Sequence, residues 1–220
     1  MATTVEATTR DSALAPAAPA PWYRDRRRLA IGAVLVAVLV ALAGWFVVAS
    51  GKRKEQFASR SLNQARAAAE AGNLPLASSE LQKLMTAYAG TDAAREAVIT
   101  LNQIRMVNGQ SELAAVGLRE FIATRPPVQY VTPAYGLLAA ALENSKRWTE
   151  AGEAYSQASS TAQVDYLKAQ YLVDAGRAYR EGGKTQEAAK AYRTVVEKYP
   201  ESPSFTEAQV RLAEITDGKM

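Results

Sequence analysis

The sequence predicts an all-α protein, in which one transmembrane helix precedes a solenoid of four helix pairs and a C-terminal capping helix. Three observations predict this fold. A run of 22 residues, 29–50, contains no charged residue. The remainder of the chain has apolar residues at three- and four-residue spacing, which is typical of amphipathic helices. A pattern of small and apolar residues recurs at a fixed step of 37 residues, which is typical of repeat proteins.

The composition narrows the chemistry that the protein can perform. Its 220 residues include no cysteine and no histidine, which excludes disulfides, thiolate nucleophiles, histidine bases and the usual zinc ligands. We therefore expect no catalytic residue, no metal, no cofactor and no small-molecule substrate. The remaining catalytic alternatives are a lysine-based site and a carboxylate pair such as Glu143 and Glu150, for which the sequence offers no partner nucleophile or base.

The basic charge lies in the N-terminal part of the chain. Residues 1–54 contain eight basic and three acidic residues, a net charge of +5, whereas residues 55–220 contain 18 basic and 19 acidic residues, a net charge of −1. Proteins that bind nucleic acids carry a basic surface on their folded part. We therefore expect no nucleic-acid partner.

The first 56 residues predict a tail, a membrane span and a linker. Residues 1–28 are rich in Ala, Pro and Thr, end in the basic sequence RDRRR and predict disorder. As a helix, residues 29–50 would extend about 33 Å, enough to cross a hydrocarbon core of about 30 Å. Residues 51–56 are interpreted as a basic linker. A cleaved signal peptide is the alternative, because residues 41–43 read ALA, although the apolar run continues beyond them.

The repeat domain is predicted over residues 57–216, followed by a short tail, 217–220. A small residue recurs at the expected crossing of two helices, an apolar or aromatic residue follows four positions later, and a turn residue stands five positions earlier. The crossing residues are Ala77, Ala114, Ala151 and Ala188; the second set is Leu81, Leu118, Tyr155 and Tyr192; the turn residues are Gly72, Gly109, Lys146 and Gly183. The tyrosines and Trp148 fall on this grid, which favours packing over ligand binding.

The ends of the second helices are also predicted from the sequence. Ser111 and Thr185 are residue types that favour an N-cap, and Pro75 suits the first helical position. Pro126 and Pro200 predict helix ends, because proline lacks the backbone N–H that a helix interior requires. One further first helix is expected after Pro200, and it would cap the array.

The fourth unit carries the sequence pattern G-x2-Y-x8-A-x3-Y-x7-P, formed by Gly176, Tyr179, Ala188, Tyr192 and Pro200. This pattern resembles the tetratricopeptide repeat, whose usual period is about 34 residues. The third unit keeps the alanine and tyrosine of the second helix but lacks the proline, and the first two units depart further. The resemblance implies a tetratricopeptide-like solenoid over residues 57–216 that binds protein partners.

The layout of tail, single span and repeats is similar to the bacterial ancillary subunit of the SecYEG translocon. That family implies an inner-membrane protein with a periplasmic repeat domain and a translocon-associated or chaperone-like role. A scaffold for envelope assembly or cell division is the first alternative, and an accessory subunit of a membrane enzyme is the second. Five basic residues stand on each side of the span between Arg10 and Arg66, so the positive-inside rule leaves the orientation to the resemblance.

The resemblance also implies a binding surface, because first helices line the concave face of such arrays. Residues at four-then-three spacing share one helix face. On the face opposite the predicted core, this spacing selects six residues that we call the predicted groove: Ile99, Gln103, Met106, Val173, Arg177 and Arg180. The same rule selects Leu62, Arg66 and Ala69 in the first unit. We expect the predicted groove to be exposed and to bind an extended or helical protein segment.

Overall fold

A computed structural model describes residues 26–216, which form nine helices and no strand. The predicted all-α fold is therefore confirmed. The helices are α1 (Arg26–Glu70), α2 (Leu74–Ala87), α3 (Asp92–Val107), α4 (Ser111–Ala123), α5 (Val128–Asn144), α6 (Trp148–Thr161), α7 (Asp165–Glu181), α8 (Thr185–Lys198) and α9 (Phe205–Thr216). Of the predicted tails, residues 1–25 and 217–220 lie outside the described residues, and residues 26–28 belong to α1.

The chain divides into two units, Met1–Ser50 and Gly51–Met220. In the first unit, the described part is the beginning of α1, and its apolar side chains are exposed. Leu39 is 65% exposed and Phe46 is 67% exposed. Within the described residues, this is the one helix long and apolar enough to cross a membrane, and signal sequences share those properties.

The predicted linker, 51–56, is helical and lies inside α1. Gly51 is its only residue with a strongly unfavourable helix propensity, and one glycine costs only about 1 kcal/mol. Lys54 Nζ donates a hydrogen bond to the backbone oxygen of Ala89 at 2.9 Å. The carboxylate of Glu55 accepts from the backbone N–H groups of Asp92 and Ala93, both at 2.9 Å. These residues therefore join the start of the repeat array.

The turns within the four helix pairs have one geometry. The residue at the predicted turn position has a positive φ in every unit: Gly72 (79°), Gly109 (73°), Lys146 (60°) and Gly183 (73°). In every unit the next residue donates its N–H to the carbonyl five positions earlier, at 2.8–2.9 Å, as Lys184 does to Tyr179. This bond satisfies a carbonyl that the end of the first helix leaves open. The same backbone turn therefore recurs at every 37-residue step.

The core follows the same grid. The four crossing alanines are each 0% exposed, which lets the backbones of paired helices approach closely. Leu81, Leu118, Tyr155 and Tyr192 are buried in the second helices, as expected for packing positions. Three buried clusters lie along the array, and α9 contributes Ala208 and Leu212 to the last of them. The capping helix therefore covers the fourth pair.

The predicted N-caps are wrong by one residue. Ser111 and Thr185 are the first helical residues of α4 and α8, and neither helix has a side-chain hydrogen bond at its N-cap. The backbone turn fixes these helix starts instead, so no hydroxyl cap is required. The predicted helix ends before proline are confirmed, because α4 ends at Ala123 and α8 ends at Lys198.

Candidate functional site

The face of α3 keeps its side of the predicted groove accessible. Gln103 is exposed, and Ile99 and Met106 are half-buried. Ile99 and Met106 also pack against the central hydrophobic cluster. Gln103 is therefore the member of this helix face that is most available to a partner, and the two apolar residues present only part of their surface.

Val173 is not exposed, and the expectation that it faces the groove is wrong. It is 2% exposed and belongs to the same buried cluster as Ala208 and Leu212 of α9. Leu62, at the equivalent position of the first unit, is 3% exposed in a cluster with Ala94 and Ala97 of α3. At both positions the following first helix contributes to the cluster, so this position packs neighbouring units together.

Arg177 is held by carboxylates rather than free to meet an acidic partner. Its Nη1 lies 2.9 Å from Glu143 Oε1 of α5, and its Nη2 lies 3.2 Å from Asp174 Oδ1. Glu143 also accepts a hydrogen bond from the Tyr155 hydroxyl at 2.8 Å, and its side chain is only 14% exposed. Burial and the Glu143 charge raise the pKa of Tyr155, which keeps this hydroxyl a donor.

Arg180 and Arg66 form ion pairs of the same kind. Arg180 Nη1 lies 3.1 Å from Glu214 Oε2 of α9, and Arg66 Nη2 lies 2.7 Å from Glu96 Oε1 of α3. Together with the Arg177–Glu143 pair, these bridges connect consecutive first helices at three junctions. The first-helix face is therefore closer to neutral than its arginines suggest.

The middle of this face has small residues that the predicted groove did not include. Applying the 37-residue step to Gln103 and Arg177 gives Ala140 of α5, and applying it to Ile99 gives Gly136. Both are half-buried. A Cβ atom added at Gly136 would lie 2.8 Å from the Tyr171 hydroxyl oxygen, so this position has no space for a side chain. The Tyr171 side chain of α7 therefore covers the α5 backbone at Gly136, and Ala140 is the small residue of this face that a partner segment can approach.

The two candidate carboxylates belong to separate hydrogen-bond networks. Glu143 binds Arg177 and accepts a hydrogen bond from the Tyr155 hydroxyl, as described above. Glu150 accepts from Arg147 Nη2 and from Arg119 Nη2, both at 2.6 Å. Hydrogen bonds from Arg147, opposed in part by burial, lower the pKa of Glu150 with help from Arg119. Glu150 is therefore stabilised as a charged acceptor, which does not suit a proton-transfer role near neutral pH.

Other features of the site favour a polar protein surface. Within residues 26–216, no group of three or more Asp or Glu side chains is placed to hold a metal ion. A shallow cavity of about 720 Å³ lies at the turn between α3 and α4, and Met106 and Leu113 are among its lining residues. Its remaining lining is mainly polar. This cavity meets the predicted groove only at Met106.

The sequence contained a signal for the ion pairs that connect the first helices. Glu143 and Arg177 are 34 residues apart, as are Arg180 and Glu214. This separation is three residues, or nearly one helical turn, shorter than the repeat step of 37 residues. Opposite charges at that spacing therefore face each other on neighbouring first helices. A search for charge pairs at this spacing would have identified both arginines as structural.

Comparisons with known proteins agree with this fold. A family model described as a tetratricopeptide repeat-like domain matches residues 21–217. A solved structure described as a kinesin light chain of Podosopora anserina, with nearly identical TPR-like repeats, has a TM-score of 0.55 and 20% identity, over 73% of this chain and 85% of that chain. The MamA protein has a TM-score of 0.57 and 18% identity, over 74% of this chain and 82% of that chain. No curated protein gave a significant match.

Proposed function

The chain belongs to the tetratricopeptide repeat-like domain family, and we propose that it is a membrane-anchored scaffold that holds or recruits proteins at the membrane. Tetratricopeptide-like folds generally mediate protein–protein interaction. The observation that carries the proposal is that the chain contains both an exposed apolar helix and a repeat array whose first-helix face is partly accessible to solvent. We propose that the scaffold has no enzymatic activity, because its two candidate carboxylates are hydrogen-bonded to arginine and tyrosine side chains.

The anchor is supported by the exposure of residues 29–50. The most hydrophobic part of this helix has 0% of its residues buried. An apolar surface of this extent is unfavourable in water and is favourable in a hydrocarbon core. The family match begins at residue 21 and therefore includes the apolar segment, which favours an anchor that the protein keeps over a signal sequence that is removed.

The binding surface that we propose is narrower than the predicted groove. It consists of Ile99, Gln103 and Met106 of α3 with Ala140 of α5. Val173 is buried, and Arg177 and Arg180 serve as a neutralised rim. A mixed apolar and polar channel with the small residue Ala140 at its floor suits an extended or helical segment of a partner protein.

The partner that we propose is the protein-translocation machinery or a chain that emerges from it. The order of tail, span and repeats supports this, as does its similarity in layout to the ancillary SecYEG subunit family. On this proposal the repeats are periplasmic and the protein is a bacterial inner-membrane component. A reporter that is active only in the cytoplasm, fused after Met220, would then be silent, whereas an active reporter would reverse the orientation.

The proposal is tested by crosslinking the full-length protein in intact membranes and identifying the captured proteins. Wild type is compared with Ala140→Gln, which fills the floor of the channel, and with Ala87→Gln, a matched change at an exposed position of α2. We expect wild type and Ala87→Gln to capture translocon subunits, and Ala140→Gln to lose most of that capture.

Each of the other outcomes contradicts a different part of the proposal. Capture of division or envelope-assembly proteins would replace the translocon role with that scaffold role, and capture of a membrane enzyme would indicate an accessory subunit. If a folded Ala140→Gln variant captures partners as wild type does, the first-helix face is not the binding surface. Circular dichroism of each purified variant separates loss of binding from loss of fold.

A further inference from the structure

One side of the repeat domain carries the turns that connect each second helix to the next first helix. We call it the turn edge, and it consists of residues 88–91, 124–127, 162–164 and 199–204 with the first residues of the following helices. Exposed apolar side chains lie there: Val128 is 50% exposed, Val164 is 43% exposed and Tyr166 is 59% exposed. The partner-binding channel proposed above uses none of these residues.

Contacts from turn to turn show that the turn edge is continuous. The Tyr130 hydroxyl of α5 donates to the backbone oxygen of Asp92 at 3.5 Å. Val128 and Val164 line one cavity of about 280 Å³. Tyr166 and Pro200 line the next, of about 210 Å³. The exposed apolar residues therefore belong to one strip and are not scattered over the domain.

The start of the turn edge is bound to residues that directly follow the apolar segment. The predicted span ends at residue 50, and Lys54 and Glu55 hydrogen-bond to Ala89, Asp92 and Ala93. Five residues extend about 17 Å at most, and about 7.5 Å as a helix. If residues 29–50 cross a bilayer, the first turn of the edge must therefore lie near the bilayer surface, whatever angle the two units make.

The composition of this region matches a lipid interface. Lys52, Arg53 and Lys54 are exposed beside the first turn, where cations can meet phosphate headgroups. Aromatic and aliphatic side chains such as Tyr166 and Val164 favour the boundary between headgroups and acyl chains. Exposed apolar side chains also lie on the opposite edge, at Val107 and Leu113, so the feature that distinguishes the turn edge is its hydrogen bonding to Lys54 and Glu55.

We propose that the turn edge is a lipid-binding surface, which rests on phospholipid headgroups and so holds the repeat domain against the membrane that anchors it. This inference rests on the proposed membrane anchor. With the edge on the lipid, the repeat domain that carries the partner channel is held close to the membrane. A chain that leaves a neighbouring membrane protein would then meet the channel at short range.

The chain has no cysteine, so single-cysteine variants test the proposal directly. The full-length protein is reconstituted into vesicles of phosphatidylcholine and phosphatidylglycerol and labelled with an environment-sensitive fluorophore. The test variants are Val128→Cys and Val164→Cys. Val107→Cys is the matched control, because Val107 is 77% exposed at the turn between α3 and α4, on the opposite edge. Lipids with a nitroxide near the headgroup then act as quenchers.

We expect several-fold stronger lipid quenching at Val128→Cys and Val164→Cys than at Val107→Cys. A label at Val48→Cys, inside the predicted span, tests the anchor separately. Quenching at Val48→Cys with equal, weak quenching at the other three sites would overturn the lipid surface and leave the anchor intact. Absence of quenching at Val48→Cys would overturn the anchor itself. Labels at 128 and 164 that are shielded from aqueous iodide but not quenched by lipid would indicate a second protein chain, which also contradicts the proposal.

Discussion

Lys146 occupies the left-handed turn position that glycine fills in the other three helix pairs. Its φ is 60°, in the region that is unfavourable for a residue with a Cβ atom. We predict that Lys146→Gly raises the free energy of unfolding by about 0.5–1 kcal/mol, because relief of the left-handed strain exceeds the added entropy of the unfolded chain. Thermal unfolding of the detergent-solubilised full-length protein measures the change.

The converse substitution is the control for this prediction. Gly109 has a φ of 73° at the equivalent turn, so Gly109→Lys should lower the melting temperature by a similar amount. If Lys146→Gly is neutral or destabilising while Gly109→Lys destabilises, the Lys146 side chain contributes an interaction that outweighs its backbone strain.

The roles of residues on the repeat grid could be predicted from the sequence. The packing of two unusual residues against each other could not. The step of 37 residues gave the turn positions and the buried alanines, because every unit has the same local geometry. Asn102 stands where other units have alanine or glycine, yet it is 1% exposed. It bonds to Val98 and Arg105, and Gly117 leaves space for it: a Cβ there would be 2.8 Å from the Asn102 side-chain oxygen. Such a pairing requires three-dimensional neighbours.

At the scale of helices, the crossing of α7 and α8 depends on a small residue. Ala188 is 0% exposed in the cluster that contains Tyr192 and Val195. We predict that Ala188→Leu destabilises the domain by about 1–3 kcal/mol or more, because the added atoms overpack a filled site. Ala123→Leu is the control at an exposed position of α4, and its expected change is within about 0.5 kcal/mol. Equal melting temperatures for both variants would contradict a close crossing at Ala188.

The ion pairs of Glu150 predict that the stability of the folded protein depends on pH in the acidic range. Because hydrogen bonds from Arg147 lower the pKa of Glu150 below its ordinary value in the folded state, its contribution to stability is present above the unfolded pKa and is lost as the pH falls through the folded pKa. We predict that the melting temperature of wild type falls more between about pH 6 and pH 3 than that of Glu150→Gln. Glu153→Gln, an exposed change on the same helix, should follow wild type.

The segment interpreted from the sequence as a basic linker, residues 51–56, is helical and part of α1. Residues 51–56 are interpreted as a linker because lysine and arginine cluster there, and this criterion does not consider helix formation. The structure instead extends one helix through the segment and uses Glu55 to cap the start of α3. Long-range bonds of this kind leave no periodic signal, because only one of the units follows an apolar segment.

At the scale of the whole molecule, the proposed membrane anchor requires that residues 29–50 remain in the mature protein. We predict that protein extracted from membranes has an intact mass that includes this segment, because the apolar run exceeds a signal core of about 7–15 residues. N-terminal sequencing provides the second measurement. A mature N-terminus at Gly44, after the ALA sequence, would show that the segment is a cleaved signal and would remove the anchor.

We propose that a membrane-bound repeat array holds a protein segment on its first-helix face. The most direct measurement places a photo-activated crosslinking side chain at Gln103, which is exposed on α3, and at Arg193, which is exposed on α8. Both variants are irradiated in intact membranes. If the first-helix face is the binding surface, position 103 forms adducts with a translocon subunit or a translocating chain, and position 193 forms few or none. Adducts from position 193 alone, or equal adducts from both, would contradict the proposal.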